Sequence, residues 1–519
     1  MKIGSNVVIG FLSLATTTFL TIYNISHIYI HSLPSLITGI SFIFVQLVWM
    51  NIMLNHSATF FRLHYYKELK KLEKNRSDWP KVAIVIPVYK EPKEVICKTV
   101  RAALHQDYPG DRFRVIVADD SPKEFLEISK NCHNGDRSKY SVLTRNSRNG
   151  YRAGALNHAL SKIVDEKYIV VLDADHAPQP HMLKTLVNYM ENSDYDVIMF
   201  PQYFRNLDKS PVAFASSLLN LHDYFFNRRG KSVTNSSFCV GTNWIGKVSS
   251  VKKAGGFYED SIVEDLASSM ILWHPKGLKI GFVKDILAKG LAPESIEAFE
   301  VQQYRWAYGT FRLFPQYIKT FKKLTNFQKF DYLNVFIWYL TGLVIVISNL
   351  FPLITALGIE FLRFESVIEY GLIIANFTIL QYVIFSLPSL IFHKSFSKVF
   401  KAQSISMVST MSYVRALIDS VIDMFKGRKR PYMVTNKRSS KSYLISLLRR
   451  AWWVFPLISA NTISLLLSLL INGNYIIAGW SMYNLMWWSS SLIFHALWHV
   501  PKKKRVIRLA TTMPRTFSC

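Results

Sequence analysis

The chain has 519 residues, half of them apolar, and a formal net charge of +27. That length permits more than one domain and a core of ordinary size. The apolar residues gather in long runs toward the two ends, and no nucleic-acid reader motif accompanies the charge. The excess of Lys and Arg is therefore expected to flank membrane helices rather than to bind nucleic acid. Cys97, Cys132, Cys239 and Cys519 have no pairing rhythm and no CxxC, so reduced thiols facing a cytoplasm are expected, with neither a disulfide framework nor a zinc site.

In chain order, Val7 to Ile30 and then Leu36 to Leu54 form two apolar stretches, each about the length of a bilayer-crossing helix. The first is too long for the apolar part of a signal peptide, and a second follows closely, so an anchor is expected. Their junction, SHIYIHSLPS, has no Lys or Arg, whereas RLHYYKELKKLEKNR after Leu54 is strongly basic. That contrast assigns the following region to the cytoplasmic side. Four more spans are expected near Tyr332–Thr355, Gly371–Phe392, Ala451–Ile471 and Tyr475–Trp498. Six spans put both termini, the basic segment Lys394–Arg450 and the tail PKKKRVIR on one side, as in a multi-pass plasma-membrane protein embedded in the lipid bilayer. The pairs Trp452–Trp453 and Trp487–Trp488 lie near span ends, where aromatic belts are expected.

The block between the spans, from about Pro80 to Leu324, alternates strand and helix patterns. KVAIVIPVY, FRVIVADD, YIVVLDAD and DVIMFPQYF are short β-branched runs, with helical patterns such as Lys93–Gln106 and Gly154–Ile163 between them. This predicts a parallel sheet covered by helices, whose ligands bind beyond the carboxyl ends of the strands. The acidic residues Asp119, Asp120, Asp173 and Asp175 fall at such ends.

The chemistry follows from these residue types. A nucleotide diphosphate leaves readily only when its charge is neutralised, and a divalent cation held by Asp173 and Asp175 supplies that. The pair Asp119 and Asp120 suits hydrogen bonds to a ribose and base. Glu264 and Asp265, in IVEDLASSM, offer a carboxylate base for an attacking hydroxyl, although an acid pair at a helix start also suits the macrodipole. Arg305 and Trp306, in QQYRWAYG, suit a diphosphate and a sugar face, and equally a membrane interface. Taken singly, each motif has a bland reading.

The series PVYKEP, ADDSP, RAGALN, DADH, FCVGTN, GGF…VEDLASS, LAPES and QQYRW resembles, in order, the processive family 2 glycosyltransferases, with cellulose synthases the nearest branch. The resemblance is dense over residues 80–310 and resumes at YMVTNK, Tyr432–Lys437, which is similar to a gating loop. It implies an α/β GT-A-like (Rossmann-like) cytosolic domain combined with an all-α six-helix transmembrane domain. The implied division is 1–58 (two spans), 59–330 (catalytic domain with interface helices), 331–393 (two spans), 394–450 (interface helix and gating loop), 451–499 (two spans) and 500–519 (basic tail). Amphipathic interface helices are expected near Leu218–Asn227, Gln302–Phe321 and Ser404–Phe425.

By the same resemblance, Tyr89, Glu91 and Asp119 contact uridine, with Asp120 and Arg152 close to the donor. Asp173 and Asp175 serve the diphosphate and its Mg2+ or Mn2+. Asp265, beside Glu264, is the base for the acceptor hydroxyl. Gln302, Arg305 and Trp306 hold the diphosphate and the terminal sugar of the growing glycan. Phe238, Cys239 and Gly241 line the acceptor site, and Tyr432, Thr435 and Lys437 belong to the loop that reaches the nucleotide. His176, next to the acidic pair, is read as structural.

Three positions depart from the family pattern. Val263 replaces a usual Thr and removes a hydroxyl near the acceptor, Gln303 stands where Arg often follows the first Gln, and Arg152 replaces a usual Lys. Only two spans precede the catalytic block, and nothing after Trp498 has the length of a cyclic-nucleotide-sensing domain. The expected reaction is inverting polymerisation of a β-glucan from UDP-glucose, β-1,4 ahead of β-1,3, with export through the helices. The alternatives are another β-linked polysaccharide (mannan or hyaluronan-type), single addition to a glycolipid, and a non-catalytic scaffold.

Overall fold

Strand β1 (Val82–Val88, VAIVIPV) is buried at every position except Pro87, as a strand covered on both faces must be. In the computed structural model, which describes residues 4–69, 78–133, 138–363, 366, 368–369, 371, 381–428, 430 and 443–497, β1 lies inside a seven-stranded sheet. The other strands are β2 (Phe113–Asp119), β3 (Tyr140–Leu143), β4 (Tyr168–Val171), β5 (Ala177–Pro178), β6 (Val197–Met199), β7 (Tyr203–Phe204), β8 (Trp244–Lys247), β9 (Ile280–Phe282) and β10 (Ala288–Gly290). The main sheet runs β3-β2-β1-β4-β8-β6-β9, and β5-β10-β7 form a small second sheet.

Alternate residues of β1 and β2 feed two cores, one on each face. Ile84, Ile86, Val115 and Val117 pack with Ile96, Val100, Leu183 and Leu186, while Ala83, Val85 and Ile116 pack with Leu156, Ala159 and Trp273. β1 pairs in parallel with β2 and β4, in keeping with the sequence. The sheet is nevertheless mixed, because β8 enters antiparallel between β4 and β6. Its sequence, WIGK, is too short to announce a strand. Asn243, left-handed at φ 61°, turns the chain into it, donating its N–H to Val171 O at 2.9 Å and its side-chain amide to Pro201 O at 3.0 Å.

Cys97 and Cys132 form a disulfide, which corrects the expectation of reduced thiols. The 35-residue separation carries no local signal. The helices Lys93–Leu104 and Lys123–Lys130, which pack together, bring the two sulfurs into reach.

Among the described residues, four helices are long and apolar enough to cross a membrane, and five if the bent pair Tyr443–Arg450 and Val454–Leu470 forms one span. Ser5–Ser26, Leu33–Tyr65 and the segment Asn326–Ala356 match three expected spans. The fourth, Phe396–Phe425, contains the expected interface helix. The last expected span is the helix Tyr475–Ala496, which is not among those four. Of the span expected at Gly371–Phe392, the structure describes Gly371 and the helix Gln381–His393.

Trp453 and Trp488 pack edge to face at 5.3 Å inside the helical region, and Trp488 Nε1 donates to Asn349 Oδ1 at 2.8 Å. These two are packing residues rather than belt residues.

A buried polar knot ties the α/β block to the helices. Asp331, at the start of Asn326–Ser348, accepts from Arg62 Nη1 and Asn55 Nδ2, both at 2.8 Å, with Lys231 Nζ 3.5 Å away.

Candidate active site

The loops that follow β1, β2 and β4 converge at the carboxyl edge of the sheet. The first two are stitched together where the Lys90 N–H donates to Ser121 Oγ at 2.7 Å. Asp119, the last residue of β2, is buried and accepts from the Ser121 N–H at 2.8 Å and from the Ser129 hydroxyl. Asp120 is clasped by Arg145 through Nε at 2.9 Å and through Nη2. The guanidinium carbon of Arg148 lies 3.3 Å from the ring centroid of Tyr89, a cation–π contact. Glu91 sits in the same post-β1 loop. Arg145 and Arg148 come from the TRNSRNG turn before the Tyr151–Ser161 helix and are functional candidates that the sequence reading passed over.

After β4 the chain presents Asp173, Asp175 and His176, whose potential ligand atoms all lie within 4.8 Å of one another. The Asp173 N–H donates to Thr242 Oγ1 at 2.7 Å. Asp175 Oδ2 accepts from the Leu291 N–H at 3.1 Å, so LAPES lies against the acidic pair. His176 Nδ1 is 3.1 Å from Asp175 Oδ1, while its Nε2 is buried without a hydrogen-bond partner. A side chain on Gly290 would meet the imidazole at 2.4 Å, which is why glycine stands there. The two carboxylates, with the imidazole beside them, fit a divalent cation such as Mn2+ or Mg2+.

Arg152 joins the halves of the site. Its Nη2 donates to Asp173 Oδ1 at 2.8 Å and to Gly241 O, and its Nη1 pairs with Glu264. Arg152, Gly241 and Glu264 line a small cavity with Cys239, Asp265 and Trp273. Burial, and then the charge of Glu264, push the Asp265 carboxyl above the usual carboxylate range, and Arg152 opposes this only in part. Burial, with Asp265 next, also pushes the Cys239 thiol up, which leaves it a neutral lining group. The Cys239 N–H donates to Ser269 Oγ at 2.9 Å.

Two of the noted departures have structural reasons. Val263 packs into an apolar cluster, where it meets the face of Gly309. Gln303 is buried and accepts from the Tyr413 hydroxyl at 2.8 Å, so it binds a neighbouring helix. On the same helix, Ile296–Arg312, Gln302 and Arg305 are half-buried and Trp306 is exposed. Tyr432, Thr435 and Lys437 lie outside the described residues.

Residues 83–255 match the family described as Glycosyl transferase family 2. A probable glucomannan 4-beta-mannosyltransferase 10 of Arabidopsis thaliana is 26% identical over 310 residues, covering 55% of this chain and 54% of that protein. Glucomannan 4-beta-mannosyltransferase 1 of Cyamopsis tetragonoloba is 30% identical over 260 residues, 48% of each. The chain spans about half the length of the curated relatives it matches. Among solved structures, a mannosyltransferase from Pyrobaculum calidifontis in complex with GDP-Man and Mn2+ aligns with a TM-score of 0.46 at 15% identity, over 73% of this chain and 99% of that one. Residues 83–255 thus form a family 2 glycosyltransferase domain, and the ordered motifs and the relatives are of the cellulose synthase-like type.

Proposed function

We propose that the chain is a membrane-embedded, inverting glycosyltransferase that builds a β-linked polysaccharide from a nucleotide-sugar donor. The observation that carries this reading is the single bridge by Arg152 between Asp173 of the first acidic pair and Glu264 of the second, beside the cavity that Asp265 lines.

In the proposed reaction Asp265 accepts the proton of the acceptor hydroxyl as its oxygen attacks the anomeric carbon. The bond from that carbon to the diphosphate breaks on the opposite face, and the nucleoside diphosphate leaves. A raised carboxyl pKa suits a base that works near neutral pH. Asp173, Asp175 and His176 would hold the divalent cation, which neutralises charge on the leaving diphosphate. Arg152 holds Asp173 and Glu264 in register. Asp119, Asp120 and Tyr89, with Arg145 and Arg148, form the nucleotide end, while Gln302, Arg305 and Trp306 face the diphosphate and acceptor sugar.

The motif resemblance favours UDP-glucose as donor and a β-1,4-glucan as product. The names of the curated relatives favour a second reading, mannosyl transfer into a β-1,4-linked mannan or glucomannan. Mechanism and linkage are common to both. The lengthened chain is proposed to leave through the helices. The helix Ser406–Phe425 is read as lying at the interface, because it buries Tyr413, Ala416 and Asp423 while exposing Ile418, Ile422 and Phe425. The test is nucleoside diphosphate release by the full chain in detergent, across UDP-glucose, UDP-N-acetylglucosamine and GDP-mannose with Mg2+ or Mn2+. Release from none of them would overturn the reading.

A further inference from the structure

Two turns of π-helix flank the loop that carries Phe238, Cys239 and Gly241. They are Asp223–Arg228, which continues the helix Pro211–His222, and Ser268–Trp273, which follows Glu264–Ala267. A π turn closes hydrogen bonds between residues five apart, and such turns concentrate at functional sites. Asp223 and Arg228 are five apart, and Arg228 Nε donates to Asp223 Oδ2 at 2.8 Å. On an ordinary α-helix the neighbours on one face are three or four apart, so this pair depends on the π turn.

The rest of the Arg228 guanidinium is directed at one residue. Its Nη1 donates to Phe238 O at 3.0 Å, and its central carbon lies 3.8 Å from the Phe238 ring centroid. Arg228 is largely buried and Phe238 is only half-buried, so the cation supports the ring from the protein side. The loop is thus fixed at three points: Phe238 by Arg228, the Cys239 N–H by Ser269 of the other π turn, and Gly241 O by Arg152. Asp223, which also accepts from Asn227 Nδ2 at 3.1 Å, holds the guanidinium in the plane this requires.

We propose that Asp223 and Arg228 are positioning residues that set Phe238 as the stacking platform for the acceptor's terminal sugar. The proposal rests on the glycosyltransferase reading above and adds how the acceptor site is built. A sugar ring presents an apolar C–H face, and an aromatic ring locked in orientation receives it at less entropic cost than a mobile one.

The test uses the full chain in detergent, with cellohexaose and mannohexaose as acceptor probes and the donor that supports nucleoside diphosphate release. Arg228→Lys keeps the charge but loses the planar fork. It is expected to raise the acceptor KM on the order of tenfold while leaving donor KM and acceptor-free donor hydrolysis within about twofold. In a Phe238→Leu background the same substitution should add almost nothing, because the ring it supports is gone. Asp223→Asn, a milder change should Arg228→Lys fail to fold, is expected to move the acceptor KM in the same direction by less. An unchanged acceptor KM in a folded variant, equal losses for donor and acceptor, or full additivity with Phe238→Leu would each overturn the positioning role. Absence of donor turnover by the wild-type chain would instead count against the glycosyltransferase reading itself.

Discussion

Arg152 Nη2 stands 2.8 Å from Asp173 Oδ1. The same guanidinium pairs with Glu264, so one side chain ties the acidic pair after β4 to the acid pair Glu264 and Asp265. Arg152→Lys keeps the charge but cannot span two carboxylates and a carbonyl. The expected outcome is a fall in kcat/KM of about 10- to 100-fold, expressed mostly in donor KM, by steady-state kinetics.

Asp265→Asn removes the proposed base while nearly preserving shape. Transfer to the acceptor should fall by a factor of about 10² to 10⁴. Nucleotide binding, followed by calorimetry, should persist. A variant that still elongates at the wild-type rate would reassign the base.

The pH profile follows from the direction of the Asp265 shift. Burial and Glu264 raise its pKa, so the protonated, inactive form survives to higher pH than for an ordinary carboxyl at about 4. As pH falls through the raised value the base is lost, and kcat/KM should drop along an acid limb above the usual carboxylate range. Glu264→Gln removes a charge that raises the pKa and should move that limb to lower pH. A limb that moves upward would show the coupling to have the wrong sign.

His176→Ala should weaken Mn2+ binding by about 10- to 100-fold, read by titration calorimetry on the full chain without donor. Chelation of divalent cations should abolish nucleoside diphosphate release, and Mn2+ or Mg2+ should restore it. Unchanged Mn2+ affinity in the variant would return His176 to a packing role.

Asp331→Ala leaves Arg62 buried without its carboxylate at the junction of the α/β block and the helices. Loss of one member of such a pair costs about 3–5 kcal/mol. The expected result is a clear fall in thermal midpoint in detergent.

The placement of Asp119, Asp120, Asp173 and Asp175 was legible because the strands were. VAIVIPV, FRVIVAD and YIVV read as buried strands, and the acids that follow them had to fall at one sheet edge. β8 was not legible, because four residues with one glycine carry no period of their own and take their place from β4 and β6. Arg145, Arg148 and Arg228 were passed over for a similar reason. Each partner lies ten or more residues away or across a turn, and one arginine among 62 Lys and Arg gives no signal. The partner of Gln303 was not legible, because Tyr413 lies on another helix 110 residues away. Pairing of Cys97 with Cys132 likewise depends on two helices that meet only in the fold.

The most direct test of the central claim is the product. The purified chain, supplied with labelled UDP-glucose or GDP-mannose and a divalent cation, should yield labelled high-mass material. A β-1,4-glucanase or β-1,4-mannanase should digest it, and Asp265→Asn should yield none. Label confined to a single sugar on a lipid, or polymer that persists with Asp265→Asn, would contradict the account.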